Sequence, residues 1–150
     1  MGKLFGTDGV RGIANDELTP ALAFELGRTA AHVFIEEGRE GVVLVGRDTR
    51  RSGKMLEAAI VSGFTSMGLD VVRLGVAPTP AVADLTKQYS AMCGVVISAS
   101  HNPGAYNGIK IFNRHGFKLR DEVEEKIESS LKDCHKWESP IGEGVGQVRE

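Results

Sequence analysis

Apolar positions recur along the chain with two periods. Leu22, Leu26, Ala30 and Val33, with Phe34 beside them, follow the three- and four-residue steps of one helix face. Thr19-Pro20 opens this helix as cap and first helical residue, and Gly38 closes it. Gly27 inside it costs some helicity. Met55, Leu56, Ala59, Ile60, Phe64 and Met67 predict a second helix ending at Gly68, and Thr79-Pro80 starts a third that runs to about Tyr89. Short apolar runs lie between the helices at 42–45 and 94–97, with Val71, Val72 and Leu74 marking another strand between them. Runs of that length without alternation suit strands buried on both faces. Ile109, Ile111 and Phe112 predict a fourth strand, paired with Phe117 and Leu119 across the turn Asn113-Arg114-His115-Gly116. Asp121 and Glu124 have the spacing of a capping box before Val123, Ile127 and Leu131. Strands alternating with helices predict a three-layer α/β/α domain with a mixed, mainly parallel sheet.

The pattern fades after 132. Residues 133–150, with Pro140, Gly142, Gly144 and Gly146, read as a connector that packs poorly on the domain beyond about Lys136. Gly142-Glu143-Gly144-Val145-Gly146 mimics a dinucleotide fingerprint, but its third glycine comes one residue early. A strand before it and a helix after it are both missing from the pattern.

Composition narrows the chemistry. The chain has 150 residues, 41% of them apolar and 25% charged, which suits one globular domain rather than a disordered chain. A net charge of −2 argues against a nucleic-acid partner, which requires a basic surface. No apolar run approaches the roughly 18 residues of a membrane helix. The opening Met1-Gly2-Lys3-Leu4-Phe5-Gly6 carries no signal-like apolar core, so a cytoplasmic location is expected. Cys93 and Cys134 stand far apart, which disfavours a disulfide or a zinc site. Glycine is the anomaly: 19 residues, against a usual share of about 7%. The glycines cluster beside polar residues, where loops approach ligands.

Three polar loops compete for the carboxyl edge of the strands, where open α/β sheets bind ligands. Phe5-Gly6-Thr7-Asp8-Gly9-Val10-Arg11-Gly12 offers flexible backbone and one forked cation. Gly46-Arg47-Asp48-Thr49-Arg50-Arg51-Ser52-Gly53-Lys54 tempts a P-loop reading. Its glycine spacing is too long, however, and Met55 stands where a magnesium-binding hydroxyl belongs. Its cations near a helix start suit an anion, or else form a solvated turn. The third loop, Ser98-Ala99-Ser100-His101-Asn102-Pro103, follows a buried strand directly. A serine hydrolase fails here for want of a G-x-S-x-G elbow, and adjacent Ser100 and His101 tend to diverge. Lys110 follows Asn107-Gly108 on the next strand, from which its ammonium can return toward Ser100. On residue type alone, structural roles for Ser98 and His101 stay open. His32, His115 and His135 are read as bystanders.

The serine hexapeptide, followed by Asn107-Gly108-Ile109-Lys110, resembles the active-site signature of the α-D-phosphohexomutases. The opening 5–12 is similar to the phosphoglucosamine mutase branch of that superfamily. Gly46-Arg47-Asp48-Thr49-Arg50, Ser52-Gly53 and Pro78-Thr79-Pro80 also fit its order and spacing. Family members often carry an acidic residue shortly before the Asn-Gly stretch; here Gly104-Ala105-Tyr106 precede Asn107. The resemblance reaches from Leu4 to about Leu131. It implies the first of four domains, 1–132, with 133–150 leading toward a second.

The same resemblance implies a mechanism and its residues. Ser100 is carried as phosphoserine and exchanges phosphoryl groups with glucosamine phosphates through a 1,6-bisphosphate. Lys110 serves as base or charge clamp, Arg11 orients the phosphate, and His101 and Asn102 position the loop and the sugar. Mg²⁺ touches the Ser100 phosphate and takes its other ligands from the second domain. The implied partners are a hexosamine phosphate and the remaining domains of one longer chain. Other sugar preferences within the superfamily, and a non-catalytic sugar-phosphate-binding module, remain alternatives.

Overall fold

A computed structural model describes residues 4–6 and 9–150; Thr7 and Asp8 of the Gly-rich opening lie outside the described residues. The strands are β1 (Val10–Ile13), β2 (Val43–Arg47), β3 (Val71–Val76), β4 (Cys93–Ile97), β5 (Tyr106–Phe112) and β6 (Val148–Arg149). The main helices are α1 (Pro20–Glu36), α2 (Gly53–Ser66), α3 (Thr79–Gln88) and α4 (Asp121–Ser130). One sheet holds all six strands in the order β1-β5-β4-β2-β3-β6. β4, β2, β3 and β6 run parallel, while β5 is antiparallel to both β4 and β1. The predicted mixed, mainly parallel α/β sheet is what the chain forms, with the 42–45 and 94–97 runs as adjacent strands.

Two layers of helix cover the sheet. Val43, Val45, Val95, Ile97, Ile109 and Ile111 point into one core with Leu26 and Ala30 of α1, Leu56 and Ile60 of α2, and Ile127 of α4. On the other face α3 buries Val82 and Thr86. Glycine sets how closely α1 and α2 cross in the first of these layers. A Cβ on Gly63 would lie 2.3 Å from the Phe24 carbonyl oxygen, and one on Gly27 2.5 Å from that of Ile60. The helicity lost at Gly27 therefore lets α1 and α2 touch backbone to backbone.

Three expectations need correction. The opening loop is partly a strand: Val10–Ile13 pairs with Tyr106–Ile109 at the sheet edge. No periodic signal marks four residues that include a glycine. The capping box does not form. Asp121 is already helical, Arg120 occupies the cap position without a side-chain cap bond, and Glu124 instead accepts from Lys118 Nζ at 3.1 Å. Finally, 133–150 is tied to the domain at several points, although most of its residues beyond Lys136, Ile141 among them, stay exposed. Arg28, only 5% exposed, donates to the carbonyls of Cys134 (2.6 Å) and Trp137 (2.7 Å), and Trp137 stacks on His32 at 3.7 Å. Further on, Gly146 N–H donates to Thr65 O and β6 extends the sheet beside β3. The exposed edge of β3 offers unpaired backbone groups, which the tail satisfies despite its low hydrophobicity. The hairpin after β5 is a single bridge, Phe112 to Lys118, closed by Asn113 Oδ1 accepting from the His115 and Phe117 amides.

Candidate functional site: a serine loop at the carboxyl edge of the parallel strands

β4 ends at Ile97, and the chain turns over the sheet edge through 98–105 before β5 brings it back. Ser98 is buried and Ser100 exposed. Ser100 has a φ of 53°, a left-handed conformation for a residue with a side chain. Such a backbone costs about 1–3 kcal/mol and persists only where its surroundings impose it. Both of its flanking peptide groups are held. Ser100 N–H donates to Ser98 Oγ at 3.1 Å, and Ser100 O accepts from Arg50 Nη2 at 2.8 Å. Ser98 is thus a structural partner of Ser100, the reading its residue type had left open.

The neighbouring segments converge on this loop because β4 lies between β2 and β5. Arg11, on β1, donates from Nη1 to Asn102 Oδ1 at 2.9 Å. Arg11 pairs across the sheet with Gly108, so both share one face. A Cβ on Gly108 would stand 3.1 Å from Arg11 Cγ and 2.7 Å from Ser98 O. Glycine there allows the cation, the serine loop and β5 to meet. Buried Asn107 donates from Nδ2 to Ser52 Oγ at 2.8 Å, tying β5 to the start of α2.

Lys110 lies two residues beyond Gly108 on the same face of β5, opposite Val96. It lines a cleft of about 240 Å³ with Gly9, Thr79, Lys118 and Glu124. The structure therefore joins Arg11 directly to Asn102, links Asn102 to the Ser100 carbonyl through Arg50, and sets Lys110 in a separate cleft on the same face of β5 as Gly108. His101 is exposed in the turn after Ser100. Arg50, Ser52 and Asn107 stand in motifs legible in the sequence, but those motifs assigned them no individual role. The available signal was the position of 47–54 just beyond a strand that pairs with the serine strand, but that adjacency is a tertiary fact.

The loop offers little to a magnesium ion by itself. Asp48, the carboxylate tied to it, already accepts from Arg50 N at 3.0 Å and Arg50 Nε at 3.2 Å. Among the described residues, the one group of three acidic, thiol or imidazole ligands is Glu25, Cys134 and His135, on α1 and the segment after α4. Burial and the Glu25 charge push the Cys134 thiol above its ordinary range, which disfavours a thiolate ligand. Among the described residues, no helix is long and apolar enough to cross a membrane.

The fold and site thus define a three-layer α/β/α domain whose sheet edge displays a left-handed serine in a loop bonded by Arg11. The family model for phosphoglucomutase/phosphomannomutase, alpha/beta/alpha domain I, matches residues 2–136, and the chain belongs to that family. It is 58% identical over 148 residues to the phosphoglucosamine mutase of Alkaliphilus metalliredigens, covering 98% of this chain and 33% of that protein. The phosphoglucosamine mutase of Clostridioides difficile is 57% identical over the same shares. Among solved structures, a phosphoglucomutase/phosphomannomutase family protein from Burkholderia thailandensis superposes with a TM-score of 0.80 at 26% identity. That match covers 98% of this chain and 32% of the other. The chain thus spans about a third of the length of the curated relatives it matches.

Proposed function

We propose that this chain is the serine-bearing first domain, 1–132 with its connector 133–150, of a phosphoglucosamine mutase. In this reading Ser100 carries the phosphoryl group, and the two hexosamine monophosphates interconvert through glucosamine 1,6-bisphosphate. One observation carries the reading: Ser100 is exposed yet held in a left-handed conformation from both sides, at the edge where α/β sheets bind ligands. The named relatives support the sugar preference.

Each residue has a chemical task. In the first half-reaction the C1 hydroxyl oxygen of glucosamine 6-phosphate bonds to phosphorus, and the bond from phosphorus to Ser100 Oγ breaks. The hydroxyl proton leaves to Lys110 acting as base, or Lys110 serves as a charge clamp beside the phosphate. After the bisphosphate reorients, Ser100 Oγ bonds to the 6-phosphorus, the bond from phosphorus to the C6 oxygen breaks, and that oxygen takes a proton back, releasing glucosamine 1-phosphate. Phosphoryl transfer depends on positioning and charge neutralisation more than on covalent help. Arg11 orients the phosphate through its forked donors. Asn102, held by Arg11, and His101 position the loop and the sugar. Mg²⁺ at the phosphoserine oxygen would neutralise charge on the transferring group. Asp48 is committed to Arg50, so the carboxylates such an ion usually needs are expected from the other domains of the longer protein. A cytoplasmic location fits phosphorylated sugar substrates.

The test is a coupled mutase assay on the full-length protein with each serine replaced, and on this 150-residue chain alone. Ser100→Ala should abolish turnover and the phosphate-sized increment in intact mass. Ser98→Ala should retain measurable activity, and the short chain should show none. Full activity in Ser100→Ala would overturn the assignment of the phosphoryl carrier.

A further inference from the structure

The basic loop 47–54 leaves a question that the phosphate chemistry does not answer. Arg50 sits among cations suited to an anion, yet its guanidinium points away from any such use. Its side chain is only 12% exposed. Nη2 donates to Ser100 O at 2.8 Å and Asn102 O at 2.7 Å. Nη1 donates to Pro103 O at 2.7 Å and Tyr106 O at 3.0 Å. Nε donates to Asp48 Oδ2 at 3.2 Å. An arginine side chain has five N–H donors in one rigid plane, and each is spent here. Three go to carbonyls of the single excursion that carries the serine and a fourth to Tyr106, where β5 begins.

We propose that Arg50 is a positioning residue for Ser100, the clamp that holds the serine loop in the conformation presenting its hydroxyl. The inference rests on the phosphoserine reading above. The geometry is specific. A left-handed serine reverts to ordinary backbone unless both neighbouring peptide groups are fixed. Ser98 Oγ fixes the amide on one side and Arg50 the carbonyl on the other. The carbonyls of Asn102, Pro103 and Tyr106 all turn inward onto the same plane, so the loop closes around the guanidinium. Asp48 sets that plane by accepting from both the backbone and the Nε of Arg50. Because Arg50 lies just beyond β2, and β2 pairs with β4 in parallel, the clamp is anchored to the strand beside the serine strand. Lysine keeps the charge but has three donors on a flexible stem, so it cannot reproduce a planar five-bond fork.

The test compares Arg50→Lys, Arg50→Gln and Asp48→Asn, with two readouts. The first is the mutase assay on the full-length enzyme. Displacing a reacting group by about 1 Å can cost on the order of 100-fold in rate. A loss in kcat of that order is expected for Arg50→Lys and Arg50→Gln, with KM within about threefold of the parent. Asp48→Asn leaves every loop carbonyl its donor and should lose less. The second is backbone amide exchange of residues 99–106 in this 150-residue chain, which should quicken in the Arg50 variants while β2 and β4 keep their protection. A merely structural arginine would lower the melting temperature and leave the kcat of the folded enzyme alone. If folded Arg50→Lys keeps kcat within threefold, or 99–106 exchanges as in the parent, the clamp is wrong. If Arg50→Lys does not fold, Arg50→Gln decides by the same two measurements. An active Ser100→Ala enzyme would sink the phosphoserine reading instead, while the exchange result still judges the clamp.

Discussion

A single missing atom explains how Arg11 and the serine loop meet. Gly108 is fully enclosed between Ser98 O and the Arg11 side chain, and a methyl group there would stand 2.7 Å from that oxygen. Gly108→Ala should therefore push the serine loop away from β5. Overpacking of this kind costs about 1–3 kcal/mol, measurable as a lowered urea midpoint, with a larger proportional loss of mutase activity in the full-length enzyme. Cys93 shows the opposite relation between burial and chemistry. Complete burial pushes its thiol from the ordinary 9.0 up to about 12. Above about pH 9 the unfolded chain ionises this thiol while the folded chain keeps its proton. The folded state then binds more protons, so stability falls as pH rises from about 9 toward 12. Cys93→Ala should flatten that alkaline fall in a series of denaturation curves.

At the scale of elements, the α1–α2 contact depends on two glycines that a propensity argument counts as defects. Gly63 faces the Phe24 carbonyl and the Arg28 amide, and its missing Cβ would be 2.3 Å from the first and 2.8 Å from the second. Gly63→Ala would raise helix propensity by up to about 1 kcal/mol. It should nonetheless destabilise the protein by about 1–3 kcal/mol, because backbone cannot give way as a flexible side chain can. Equilibrium unfolding settles the sign, and a stabilised variant would contradict the close crossing. The helices themselves were legible from their spacing, since Leu22, Leu26, Ala30 and Val33 mark a face whatever it packs on. β1 was not, because edge pairing is decided by the partner strand. Nor was Asp121 as a non-cap, because one residue of phase separates cap from first turn.

The whole molecule differs from its sequence most at the chain's end. Residues 133–150 look like a linker by composition, yet Arg28 holds Cys134 and Trp137, and β6 covers the edge of β3. The amides of Gly146 and Gln147 donate to Thr65 O and to Asp70 Oδ1 at 2.8 Å. Both should exchange more slowly than Glu143, whose neighbourhood is exposed. Equal exchange across 142–150 would restore the loose-tail expectation.

What the sequence determined alone was local: helix faces, buried strand runs, and the serine hexapeptide with a lysine on the next strand. These depend on spacing along the chain, which is fixed by covalent geometry. The order of the strands, the union of Arg11 with Asn102, the five-bond use of Arg50 and the docking of the tail came only from tertiary structure. Each joins residues from distant segments, and such contacts are selected by which edges and faces remain unsatisfied after local structure forms.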